Sequence, residues 1–257
     1  MSAQQPRLGF DRNDYPGDAF LPILRQHFAF TGFWLNNPPG ERRNSWFGKR
    51  EILIQNDLGF LVLFNGRLDV EILKAKKNGT SPIALGQKDA AAAIVAAQRE
   101  HFPAKTILFL DQEEGGRLLP EQSAYLLAWT EAVARSPYLP GAYVSGRPVA
   151  DEPGKTITTA QNIRDQVIAN HLHSIALFVY QDACPPSNGC TVHPPAISAA
   201  GTSDIAAWQY AQSPRRPEIT RSCAKTYSVD GNCYAPNLPG LHLDLSVSES
   251  PDPSHGR

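Results

Sequence analysis

Eight β-rich runs punctuate this chain, and the first five are each followed by a stretch of helical character. That alternation leaves few folds open. The runs are Leu8–Arg12, Phe28–Leu35, Phe60–Phe64, Thr106–Glu113, Gly141–Ser145, Ile175–Gln181, Ile205–Gln212 and Leu243–Ser248. Helices are expected over Asp18–His27, Asn44–Leu58, Lys88–Phe102, Pro120–Ser136 and Ala160–Leu172. Asn44 reads as a helix cap and Gly59 as a stop. Alternating strand and helix favours a parallel sheet with helices outside it. Eight strands in 257 residues favour closure into a TIM-like (β/α) barrel over an open, doubly wound sheet. Neither G-x-G-x-x-G after a strand nor a P-loop is present, so nucleotide-binding fingerprints are missing.

The last third breaks the rhythm. Asp182–Asp204 and Ser213–Gly240 are rich in Pro, Gly and Ser and lack a helical period, so the last three strands are joined by loops. All four cysteines, Cys184, Cys190, Cys223 and Cys233, lie in these links. Four cysteines allow three pairings, and the local one, 184 with 190 and 223 with 233, would staple both loops. Their spacing is not that of a zinc site. Disulfides imply an oxidising compartment. The opening Met-Ser-Ala-Gln-Gln-Pro carries no charged and apolar leader, so a secreted protein, extracellular or periplasmic, is expected with its signal peptide absent from these residues. Residues 1–248 are expected to form one barrel domain and 249–257 a frayed, disordered tail.

Charge excludes some partners. Lys and Arg number 24 against 25 Asp and Glu, a formal net charge of -1, which offers no electrostatic case for nucleic acid or an anionic membrane. No apolar run approaches the ~20 residues that span a bilayer. A monomer without metal or cofactor is expected.

In a parallel barrel the chemistry sits where the strands end. Side chains alternate along a strand, so Ile107, Phe109, Asp111 and Glu113 share one face. The apolar pair would fill the barrel, and the carboxylates would emerge at its mouth. Two neighbouring carboxylates cannot both ionise cheaply, so one becomes a usable acid near neutral pH, as protonation of a glycosidic oxygen requires. Asp11 ends the first strand, and Asp244 lies near the start of the eighth. Trp34, Asn36, Tyr143, Tyr180, Asp182, Trp208, Gln209 and Tyr210 lie on or beside the other strands. Acids ringed by aromatic rings suit a carbohydrate cleft, because sugars present apolar faces and many hydroxyls. Glu114 is expected to be a solvated neighbour, Trp129 a packing residue, and His171 and His173 surface groups at the opposite end of the barrel.

At these residues the chain resembles a known group. The pieces are GFD at Gly9–Asp11, FLDQE at Phe109–Glu113, GAYVSG at Gly141–Gly146, WQY at Trp208–Tyr210 and LDLS at Leu243–Ser246. They are similar to the glycoside-hydrolase-like domains of unknown function typified by a secreted mycobacterial cell-wall protein, and through them to the glycoside hydrolase family 25 muramidases. The resemblance implies glycoside hydrolysis with a peptidoglycan-like polysaccharide as substrate. It implies Glu113 as general acid, Asp111 as the carboxylate that stabilises positive charge or orients an N-acetyl group, and Asp11 and Asp244 as further acids of the cleft. The first strand departs from the muramidase pattern, reading GFDRND where those enzymes favour Ser two positions after the Asp. A catalytically inactive cell-wall or polysaccharide binding module on the same barrel is the alternative.

Overall fold

The computed structural model describes residues 6–181, 195–212, 241 and 243–257. Asp182 and the four cysteines, with the disulfides expected of them, lie outside the described residues.

Strands β1 (Arg7–Asp11), β2 (Phe30–Trp34), β3 (Gly59–Asn65), β4 (Ile107–Gln112), β5 (Leu139–Ser145), β8 (Ala176–Tyr180), β9 (Ala207–Ala211) and β10 (Asp244–Ser248) close a barrel in the order β1-β10-β9-β8-β5-β4-β3-β2. A two-stranded hairpin, β6 (Val149–Ala150) with β7 (Thr156–Ile157), lies after β5. The outer layer holds α1 (Leu21–His27), α2 (Arg50–Gln55), α3 (Asp69–Lys77), α4 (Pro82–Arg99), α5 (Pro120–Ala134) and α6 (Thr159–Ala169). The expected α/β barrel is therefore present, with six helices among the described residues. None of them is long and apolar enough to cross a membrane.

Within the barrel all neighbouring strands run parallel except β10, which is antiparallel to both β1 and β9. The reversal turns the barrel's last strand upside down. Its first residue, Asp244, therefore sits at the end where the parallel strands finish, and pairs directly with Asp11.

Local chemistry explains where helices depart from expectation. Asn44 does not cap a helix running to Leu58. Its Nδ2 donates to the Trp34 carbonyl at 2.7 Å and its Oδ1 accepts the Trp46 N–H at 2.9 Å, which fixes a turn. Gly48 follows at φ 73°, so helix α2 starts only at Arg50. Helix α4 begins six residues before Lys88, because Ser81 accepts the Ala84 N–H and Pro82 opens the first turn. Helix α3 leaves no clear apolar stripe in the sequence, since Val70 and Leu73 face solvent. Trp129 packs as expected, fully buried with its ring 5.2 Å from Phe64. His173 is exposed on the surface, its Nδ1 3.0 Å from Glu131.

Residues 249–257 do not fray. Strand β3 begins three residues before its pairing with β4, which starts at Val62 with Leu108. The chain end fills that gap. Ser254 N–H donates to the Phe60 carbonyl at 2.8 Å, and Ile107 N–H donates to the Ser254 carbonyl at 2.8 Å. Asp252 Oδ1 accepts the Phe60 N–H at 2.9 Å, and Ser254 Oγ accepts that of Val62 at 2.8 Å. Unpaired backbone groups demand partners, and the polar tail supplies them.

Candidate active site

Along β4 the side chains of Ile107, Phe109 and Asp111 point into the barrel. Phe109 meets Phe178 of β8 at 6.1 Å between ring centroids, and Tyr143 of β5 lies 4.5 Å from Phe178. These rings form an aromatic floor. Above it the inner face turns acidic.

Asp11 enters this space from β1. A Cβ on Gly32 would lie 2.6 Å from the Asp11 Cβ, so only glycine on β2 leaves room for the aspartate. Gln209 of β9 reaches past β10 to meet it, with Nε2 3.2 and 3.0 Å from the two carboxylate oxygens. Tyr143 Oη donates to Gln209 Oε1 at 2.7 Å, which orients the amide so that its N–H groups face Asp11. Tyr143 keeps its proton, because burial first and the surrounding acids second push its ionisation well above the usual range.

Asp111 is 6% exposed, and its buried Oδ1 has no hydrogen-bond partner among the described residues. Glu113 follows the strand at the exposed rim. Tyr180 donates its hydroxyl to the Glu113 backbone carbonyl and so anchors that residue without engaging its carboxyl. Asp244 faces the same mouth, since directly opposed antiparallel residues share a face and its partner is Asp11. The fold thus gathers Asp11, Asp111, Glu113 and Asp244, which are far apart in the chain, around one opening.

Burial pushes Asp11 up to about 7, against the stabilising Gln209 amide, and Glu113 adds repulsion. Asp111 is raised well above the carboxylate range by burial, then by Glu113 and Asp11. Glu113 is raised by desolvation. The mouth therefore holds carboxyl groups that keep protons where ordinary ones do not.

This arrangement costs stability, and the sign is testable. Asp11 binds a proton in the folded chain between its ordinary 3.8 and about 7, where the unfolded chain has released it. The stability from this group is complete below the unfolded value and is lost as pH rises through about 7. Asp11→Asn should therefore melt close to wild type near pH 4 and above it at pH 8, at roughly 2–4 °C for each kcal/mol regained. A difference that shrinks as pH rises would contradict this account.

Other expected site residues fall into three groups. Tyr143, Tyr180 and Gln209 border the opening. Trp34 is buried at the C-terminal end of β2, with Nε1 donating to the Arg12 carbonyl at 3.1 Å. Asn36 spends both ends of its amide on the Asn65 backbone, at 3.0 and 2.8 Å, so it splices the ends of β2 and β3. Trp208 and Tyr210 do not join the cleft. Gln209 between them points inward, so strand alternation turns both rings to the outer face, where they lie 5.8 Å apart and buried.

Glu114 is not a solvated neighbour. It is half-buried, and its Oε1 accepts the Asp69 N–H at 2.9 Å. Its Oε2 accepts Gln112 Nε2 at 2.8 Å and Gln122 Nε2. These bonds tie the loop after β4 to α3 and α5, and so set where Glu113 projects. Sequence reasoning also missed Asn65 and Arg67 at the end of β3, which the same strand-end rule would have found. With Asn36, Glu71, Asp111 and Glu113 they line a cavity of ≈ 360 Å³. Among the described residues, no group of three or more His, Cys, Asp or Glu is placed to hold a metal ion.

The sequence matches no protein-family model and no curated protein. Its fold is shared. An uncharacterized protein of B. stearothermophilus superposes with a TM-score of 0.55 at 15% identity, over 94% of this chain and 95% of that one. The Tat-secreted protein Rv2525c of Mycobacterium tuberculosis, in complex with L-tartrate, gives 0.53 at 11% identity, over 95% of each chain. The modular autolysin LytC of Streptococcus pneumoniae gives 0.50 at 10% identity, over 96% of this chain but 47% of its own. At such identities the likeness speaks for the fold alone.

Proposed function

We propose that this chain is a secreted glycoside hydrolase acting on a cell-wall polysaccharide of the peptidoglycan type, with Glu113 as its general acid. The observation that carries the reading is the cluster of Asp11, Asp111 and Glu113 at one mouth, its carboxyl groups all biased toward the protonated form. The proposal is compatible with a fold that a Tat-secreted mycobacterial protein and an autolysin also adopt.

Glu113 is exposed enough to meet a glycosidic oxygen and desolvated enough to hold a proton for it. It gives that proton to the leaving oxygen as the bond to the anomeric carbon breaks. The positive charge left on the sugar is met by the carboxylate that Glu113 becomes and by the oxygen lone pairs of the neighbouring carboxyl groups, Asp111 among them. Water then adds to the anomeric carbon and returns a proton to Glu113, which restores the acid. Tyr143 and Tyr180, with ring centroids 5.5 Å apart, wall the site against solvent.

The test is release of new reducing ends from a polysaccharide panel that includes peptidoglycan, between about pH 4 and pH 8. Activity should fall on the alkaline side as Glu113 loses its proton. Binding without release from any member would remove the hydrolase reading in favour of a glycan-binding barrel.

A further inference from the structure

Arg67 follows β3 and lines the same cavity as Asp111 and Glu113. Its Nε and Nη2 donate to the two oxygens of Asp89 at 2.8 and 3.0 Å. Asp89 lies on α4, only 3% exposed, and Tyr125 of α5 donates its hydroxyl to Asp89 Oδ2 at 2.9 Å. Burying an aspartate costs several kcal/mol unless its partners are well placed. Here two helices commit a buried acid and a buried phenol to a single arginine whose own side chain stays 39% exposed.

That support fixes the guanidinium as a rigid plane. The group carries five N–H donors in a flat fork. Asp89 engages the Nε–Nη2 edge. The Nη1–Nη2 edge is left, and Nη1 makes no hydrogen bond among the described residues. Two parallel donors on a fixed plane match the two oxygens of a carboxylate. Asp111 and Glu113 oppose such a ligand less than their formal charges suggest, since both favour their neutral acids.

We propose that the free edge of Arg67 is a subsite for a carboxylate carried by the saccharide, so that the cleft selects acidic sugars over neutral ones. The proposal rests on the mouth being a saccharide site. The carboxylate could be that of a uronic acid or of a lactyl ether on an amino sugar, and the chemistry recognised is the same.

The test uses glucuronate and N-acetylmuramic acid, each against its methyl ester, titrated into the whole chain by NMR or calorimetry. A neutral oligosaccharide from the hydrolysis panel runs alongside. At least one acid should bind about tenfold or more tightly than its ester, the gain of a bidentate charged pair. Arg67→Lys keeps the charge but loses the fork, so it should cut that preference severalfold. Asp89→Asn releases the arginine and should reduce the preference too, which a merely structural arginine would not do. Melting curves keep each variant interpretable, and if Arg67→Lys fails to fold the wild-type ratio of acid to ester still decides. Equal binding of acid and ester, or a preference undiminished in Arg67→Lys, overturns the subsite. If the neutral oligosaccharide binds and neither acid does, the subsite falls and the saccharide reading stands. If nothing binds, both fall.

Discussion

Glu113→Gln is expected to lower turnover by about 10²–10⁴-fold, the usual contribution of a positioned acid, and to leave the melting temperature nearly unchanged. The two halves of that expectation come from different features. Gln keeps the size and shape of Glu but has no proton to give at neutral pH. Structurally, little depends on the carboxyl: Glu113 is exposed, and among the described residues the hydrogen bond that anchors it goes from Tyr180 to its backbone carbonyl, which Gln retains. Glycan binding should persist. The neighbouring position offers a contrast within two residues of sequence. Glu114→Ala strips partners from Gln112, Gln122 and the Asp69 N–H, so it should lower the melting temperature as well as activity. Turnover and thermal melting of both variants check the assignment together. Undiminished turnover in Glu113→Gln would require another acid.

Removing residues 249–257 is expected to prevent stable folding, although nothing in their composition announces a structural role. The segment supplies backbone and side-chain partners to Phe60, Val62 and Ile107 at the starts of β3 and β4. It also gives the Gly256 carbonyl to Arg50 Nε and Nη2 at 3.1 and 2.7 Å, and the His255 carbonyl to Thr106 Oγ1 at 3.1 Å. Each such bond is worth about 1 kcal/mol net, and more where its loss strands a buried N–H. Lost together they consume much of the ~5–15 kcal/mol that holds a domain folded. Truncation also uncovers Phe60 and Phe102, both buried against the tail at Gly256. A graded version avoids an insoluble product. Ser254→Ala leaves the Val62 N–H without its partner and should cost about 1–3 kcal/mol, or several degrees of melting temperature. A truncated chain that melts like the full one would show that the segment is dispensable.

The tail illustrates why part of this protein escaped its sequence. Ser-Glu-Ser-Pro-Asp-Pro-Ser has no apolar period, and short polar residues read as turns. They become structural here because β3 starts before its neighbour and needs donors and acceptors, a fact about register that no local pattern carries. Helix α2 shrank for a similar reason: Asn44 found partners in Trp34 and Trp46. Trp208 and Tyr210 show the limit of reasoning from residue type. Both suit sugars, but a strand presents neighbours to opposite sides, and Gln209 took the inner one.

What the sequence determined by itself is the alternation of strand and helix, the inner-face period that puts Asp111 above Phe109, and the acidic ends of its strands. These are local: they follow from the two-residue repeat of a strand and from the turn residues around it. Tertiary structure alone decided which acids meet. Reversal of β10 brought Asp244 opposite Asp11, barrel closure let Gln209 reach across from β9, and packing of α4 on α5 held Arg67 at the cavity wall. Burial then changed the chemistry of those acids, because a carboxyl's charge depends on the water removed from it and on the charges brought near, and the closed fold sets both.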